Sequence, residues 1–180
     1  MTCIVGFVDK DKVYIGGDSA GVDGQSIRIR EDEKVFISGE FIFGFTSSFR
    51  MGQILRYNFK PPERKIFGTD DEYLYGDFIN EVIKIFKENG YAKIEDNQVE
   101  GGIFLFGYKG KLYYVGSDFQ IGKLSKNYSA VGCGEYYAMG CLYALENIEL
   151  SPKRKIEKAL EAAEEFSTGV RRPFKIMNIE

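Results

Sequence analysis

The sequence contains no histidine and no tryptophan. Without histidine, the chain can build neither a Ser-His-Asp nor a Cys-His catalytic unit, nor a metal site ligated by imidazole. Cysteine is also scarce. Cys3, Cys133 and Cys141, the only three, form no C-x-x-C pair; they fit neither a disulfide framework nor a zinc finger and point to a reducing compartment. No apolar run approaches the roughly 18 residues of a membrane helix, so no membrane partner is expected. The start of the chain lacks the basic segment and long apolar stretch of a secretory leader, and the expected location is cytoplasmic. There is no strong excess of charge either: 24 Lys and Arg against 27 Asp and Glu give a formal net charge of −3. With the basic residues scattered, nucleic acid is not an expected partner. No phosphate-binding loop occurs, so any ATP chemistry would belong to another chain, and no cofactor or metal is expected.

What is present is an ordinary globular balance, 44% hydrophobic and 28% charged over 180 residues, enough for a single domain over 1–180 with a substantial core. A hydrolase without histidine must take its base from a carboxylate or an amine, and the first residues offer an amine. Two apolar runs, residues 2–8 and 13–17, flank the polar Asp9-Lys10-Asp11-Lys12 and read as a β-hairpin. Its strand begins at Thr2. Trimming of Met1, which is normal before a small residue, would leave Thr2 with both a hydroxyl and a free α-amine. An α-amine has a reference pKa of about 8, so a useful fraction is neutral at pH 7 and can act as a base for the neighbouring hydroxyl.

Further along, Ser26–Arg30 alternates as an edge strand would, Lys34–Ile37 reads as a short strand, and Phe41–Thr46 as a buried one. A helix is predicted from Ser47 or Ser48 to about Phe59, stopped by Pro61-Pro62. Residues 60–70 read as a polar loop. Over 71–89, Leu74, Phe78, Val82 and Phe86 recur every four residues and mark an amphipathic helix. Glu95–Glu100 reads as acidic and exposed. A second hairpin covers 103–108 and 112–115, and a strand covers 128–131. Helices are expected over about 135–146 and 151–166, the last opened by Ser151 as N-cap with Pro152 at the first helical position. Hairpins dominate both strand blocks. The predicted assembly is therefore two antiparallel sheets face to face with helices on both outer surfaces, an α+β class.

Several segments together resemble the proteasome β-subunit superfamily, and most closely the bacterial HslV-type threonine peptidases. They are Thr2-Cys3-Ile4-Val5, Ile15-Gly16-Gly17-Asp18, Glu33-Lys34-Val35, Gly44-Phe45-Thr46-Ser47, Ala130-Val131-Gly132-Cys133-Gly134 and Ile156–Ala163. Asp18 and Lys34 follow Thr2 at the family's offsets from its nucleophile. The resemblance implies the four-layer αββα sandwich of the N-terminal-nucleophile (Ntn) hydrolases. It also implies a peptidase in which Thr2 attacks, its amine moves the proton, Lys34 steadies the oxygen and Asp18 pairs with Lys34. Ser47 would give a backbone oxyanion donor, and Cys133 and Glu165 stand where the family has a supporting serine and aspartate. Peptide or unfolded-protein substrates, a homo-oligomeric ring and a separate ATP-dependent unfoldase are the implied partners. Other readings remain open: an inactive, self-assembling subunit of this fold, or an amidohydrolase acting on a small non-peptide amide. Cys133 between two glycines fits a tight strand-to-helix passage equally well. Cys3, on the strand face opposite Thr2, is expected in the core.

Overall fold

The computed structural model describes residues 1–95 and 98–180. The first hairpin pairs β1 (Cys3–Asp9) with β2 (Lys12–Gly17), and a small ribbon follows, β3 (Ala20–Asp23) with β4 (Ser26–Ile29). Next come β5 (Val35–Ser38), β6 (Phe41–Phe45), helix α1 (Phe49–Tyr57) and a long helix α2 over 70–88. A second ribbon, β7 (Lys93–Glu95) and β8 (Gln98–Glu100), leads to the hairpin β9 (Phe104–Tyr108) and β10 (Lys111–Val115). The chain closes with β11 (Ile121–Lys123), β12 (Tyr128–Gly132), α3 (Glu135–Ala144), α4 (Pro152–Phe166) and β13 (Lys175–Ile179).

The strands form a four-stranded sheet, β12-β1-β2-β13, and a five-stranded sheet, β11-β10-β9-β6-β5, every neighbouring pair antiparallel. Ile4, Ile15, Ile42, Leu105 and Val131 pack between the sheets. The sheets come close where glycine faces a branched side chain: a Cβ on Gly44 would lie 2.5 Å from Ile4 Cγ2. Phenylalanines dominate the layer between the five-stranded sheet and α1 and α2, among them Phe41, Phe43, Phe78 and Phe106. Cys3, Val5, Ile156 and Leu160 fill the layer beneath α3 and α4. The αββα order is thus helix, sheet, sheet, helix.

Four expectations are adjusted. The Ser26–Arg30 strand belongs to a ribbon outside both main sheets, because it pairs with β3 alone. Two strands add to the predicted set: β11 has only three residues, and β13, which follows Pro173, fills the edge beside β2. Helix α2 contains a π-helical stretch, Tyr73–Phe78. In a regular α-helix a four-residue repeat drifts by roughly 40° per step; the wider π turn absorbs that drift, and Leu74, Phe78, Val82 and Phe86 all reach the core. Within Glu95–Glu100, Gln98 and Glu100 are exposed and Val99 packs against the aromatic layer. Asp96 and Asn97 lie outside the described residues.

Candidate active site

The first hairpin sets the site. Thr2 precedes β1, and Asp18 follows β2 on the neighbouring strand, its N–H donating to the Cys3 carbonyl at 3.3 Å. Lys34 leads into β5 and is tied to β6 through its carbonyl, which accepts from Phe45 N–H at 3.0 Å. Three strand ends therefore converge on one point. There the Lys34 ammonium donates to Thr2 Oγ1 at 2.7 Å, to Asp18 Oδ1 at 2.8 Å and to the Ala20 carbonyl at 2.6 Å. An ammonium has three N–H groups, and all three are used. Thr2 is 4% exposed, Asp18 2% and Lys34 2%.

Backbone donors hold the Asp18 carboxylate: Cys3 N–H on Oδ1 at 3.0 Å, and Ala20 N–H at 2.9 Å and Arg171 N–H at 3.3 Å on Oδ2. Burial holds the Lys34 pKa below its ordinary value by disfavouring the cation, while the charge and hydrogen bond of Asp18 oppose that shift. Cys3 faces the other way, into the layer under α3 and α4, where burial pushes its thiol pKa well above the ordinary range.

The Gly132-Cys133-Gly134 turn wraps the Thr2 backbone. Gly132 sits at φ +103°, and a Cβ there would lie 2.2 Å from the Thr2 carbonyl oxygen. Gly134 N–H reaches that oxygen at 3.4 Å. The glycines thus have a steric reason of their own, and the passage they form brings Cys133 Sγ to the site. Cys133 Sγ accepts from Thr2 N–H at 3.3 Å and lies 3.2 Å from Ser167 Oγ. Thr2 is in peptide linkage to Met1 here, so removal of Met1 would leave the amine at this position.

Ser47 has a left-handed φ of +65°, an uncommon conformation for a side-chain-bearing residue that tends to gather at active sites. Among the described residues its N–H has no backbone acceptor. Its Oγ instead accepts from Ile103 N–H at 3.1 Å, pinning the turn. Ser48 caps α1 by accepting from Arg50 N–H. A cleft of about 230 Å³ opens between these residues, lined by Thr2, Lys34, Val22, Phe45, Ser47 and Phe49 among others.

Of the residues named from sequence, the structure brings together Thr2, Asp18, Lys34 and Cys133, with Ser47 on the cleft wall. Glu165 is not among them. It is exposed on α4, and the residue from that end of the chain that reaches Cys133 is Ser167. The reason is helical phase: Ala163 faces the core, so residue 165, two positions on, points away, and residue 167, four on, returns to the same side. Arg171 is a second residue that sequence reasoning does not single out. Its backbone holds Asp18, and its guanidinium reaches the carbonyls of Glu164, Ser167 and Val170, closing the end of α4. The inward spacing of Ile156, Leu160 and Ala163 is the signal that could have found Ser167; nothing local marks Arg171.

No family model matches the sequence, and no curated protein matches it either. Solved structures do. The chain superposes on Thiobacillus denitrificans BPH in complex with epoxomicin with a TM-score of 0.84 at 19% identity, covering 99% of this chain and 98% of that one. A second structure of Thiobacillus denitrificans BPH gives a TM-score of 0.83 at 20% identity over 99% and 98%. HslV from Trypanosoma brucei gives 0.72 at 14% identity over 99% of each chain. The two antiparallel sheets, the helices outside them and these superpositions over nearly the whole chain agree: this chain has the αββα fold of the HslV- and proteasome-like structures.

Proposed function

We propose that this chain is an N-terminal threonine peptidase that hydrolyses peptide bonds once Met1 is removed. The observation that carries the reading is the 2.7 Å contact between the Lys34 ammonium and Thr2 Oγ1, inside a buried group that also holds Asp18. The freed Thr2 amine, directly or through a water, takes the hydroxyl proton as Oγ1 attacks the amide carbon. The oxygen of the tetrahedral intermediate is stabilised by the Ser47 N–H. The amine then returns the proton to the leaving nitrogen as the C–N bond breaks, leaving an ester on Thr2. Water, deprotonated by the same amine, hydrolyses that ester and restores Thr2. Lys34 favours the attacking oxygen in its anionic form and disfavours protonation of the nearby amine. Cys133 supports the amine, in place of a hydroxyl.

A ring of identical subunits is part of this reading, with peptides or unfolded protein as substrate and a separate ATP-dependent unfoldase as a feeding partner. The complex of Thiobacillus denitrificans BPH with epoxomicin makes epoxomicin the first ligand to try. A competing reading is a structural subunit that keeps Met1, favoured by the hydrogen bond that Thr2 Oγ1 donates to the Met1 carbonyl.

Intact mass separates the two. Protein confirmed to lack Met1 should hydrolyse short peptides, and Thr2→Ala should lower the rate by about 10³-fold or more. Retained Met1 in the functional form, or no hydrolysis by the trimmed protein, would overturn the peptidase reading.

A further inference from the structure

Residues 164–173 stay clear of the cleft wall, yet this segment touches the site at two places. On one side it pairs with the residues after β2. Arg171 N–H donates to Asp18 Oδ2 at 3.3 Å, Ser19 N–H to the Arg171 carbonyl at 2.8 Å, and Ser19 Oγ to the Pro173 carbonyl at 2.6 Å. On the other side it meets the surroundings of the Thr2 nitrogen. Ser167 Oγ lies 3.2 Å from Cys133 Sγ and accepts from Gly169 N–H at 3.4 Å. A Cβ on Gly169 would lie 2.8 Å from Cys133 Sγ and 2.4 Å from Met1 Cβ, so this loop runs against the start of the chain.

One side chain spans the two places. Arg171 Nη1 donates to the carbonyls of Val170 at 2.5 Å, Ser167 at 3.1 Å and Glu164 at 3.4 Å. Carbonyls at the end of a helix lack partners within it, and a cation beside them is favoured by the helix dipole. Three carbonyl oxygens turned toward one point repel each other unless a positive group stands between them. A guanidinium is charged at every working pH, and its planar fork loses little freedom in holding them. Arg172 makes the contrast. Its guanidinium is 2.7 Å from the Glu164 carboxylate and its side chain is 62% exposed.

We propose that Arg171 is a positioning residue that ties the two halves of the site together. Its main chain holds the Asp18 carboxylate that faces Lys34, and its guanidinium holds Ser167, which faces Cys133 beside the Thr2 nitrogen. The inference rests on the peptidase reading of Thr2 and adds a residue on which that site depends without touching substrate. Loss of the guanidinium frees the 167–171 loop, so Asp18 and Cys133 lose a shared support while the cleft wall stays as it was.

The test has two arms. In the first, Met1-free parent, Arg171→Ala, Arg171→Lys and Arg172→Ala are compared on one peptide, at a temperature where circular dichroism shows every variant folded. Arg171→Ala should lower kcat at least about tenfold, because small misplacements of catalytic groups are costly, and leave KM within about threefold. Arg171→Lys, which keeps a cation, should recover most of that loss, and Arg172→Ala, which removes the same charge, should stay within about twofold of the parent. An unchanged kcat in Arg171→Ala, an equal loss in Arg172→Ala, or no recovery in Arg171→Lys overturns the inference and leaves the peptidase reading standing. The second arm needs no turnover. Amide hydrogen exchange at Ser19, Gly169 and residue 171 should be at least about tenfold faster in Arg171→Ala than in the parent. Unchanged exchange at these amides overturns the inference, even if the parent hydrolyses no peptide and the peptidase reading falls on its own.

Discussion

At the scale of single residues, Lys34 is the group whose protonation state matters most. Burial depresses its pKa below the ordinary 10.5, and Asp18 limits the depression. The ammonium is the useful form, so the rate should fall on the alkaline side at a pH below 10.5. Asp18→Asn removes the opposing charge and should move that alkaline limb to lower pH, read from kcat/KM against pH; an unmoved limb would mean that Lys34 does not govern it. The same depression costs stability while both folded and unfolded states are protonated, and the cost is relieved as pH rises through the folded value toward 10.5. Cys133 gives a second prediction. A thiol is a weak hydrogen-bond partner and a hydroxyl a good one, so Cys133→Ser should raise kcat about two- to tenfold, the worth of one improved hydrogen bond. Thr2 was legible as a hydroxyl beside a releasable amine. Asp18 and Lys34 came only through the family resemblance, whose fixed offsets from Thr2 carry over because all three residues sit at strand ends. Glu165 misled because, on a helix, position depends on phase as well as offset: a two-residue step turned it to solvent and left the place to Ser167.

At the scale of elements, the strand-to-helix turn at Gly132-Cys133-Gly134 decides whether Thr2 is held at all. Gly132 combines a φ of +103° with an approach that leaves no room for a Cβ, 2.2 Å from the Thr2 carbonyl oxygen. Gly132→Ala must either strain its own backbone or push Thr2 off the Lys34 ammonium. Urea unfolding should show a loss of more than about 2 kcal/mol, and the trimmed variant should lose activity even at temperatures where it stays folded. Full stability in Gly132→Ala would mean that the turn does not clamp Thr2. Both hairpins were readable from alternating apolar runs and polar turns. The strands β11 and β13 were not. β11 has only three residues, too few to show alternation, and β13 is recognisable only once the exposed edge of β2 beside it is known. The π-helical stretch of α2 was foreshadowed by the strict four-residue repeat, although that repeat alone reads as an ordinary helix.

At the scale of the whole molecule, the apolar side chains left outside the three cores bear on assembly. Ile66 and Phe67 are adjacent and 92% and 90% exposed, in a loop kept in place by the Arg64–Asp70 ion pair at 2.9 Å and by the Thr69–Glu72 capping box. On the other helical layer, Tyr136 on α3 and Phe166 at the end of α4 are also exposed, and Tyr143 shares that layer. In the proposed ring, exposed apolar groups of this kind are the candidate contacts with other chains. Two dissimilar surfaces on opposite layers suit a head-to-tail contact, which closes into a ring when the rotation between neighbours permits, better than a self-complementary pair. Light scattering behind size exclusion should therefore find an assembly larger than a dimer. Ile66→Ser with Phe67→Ser should release folded monomers whose circular dichroism matches that of the parent, since neither side chain contributes to a core. A parent protein that is monomeric across the micromolar range would remove the ring from the proposed function without touching the Thr2 chemistry, because Thr2, Asp18, Lys34 and Cys133 all come from one chain.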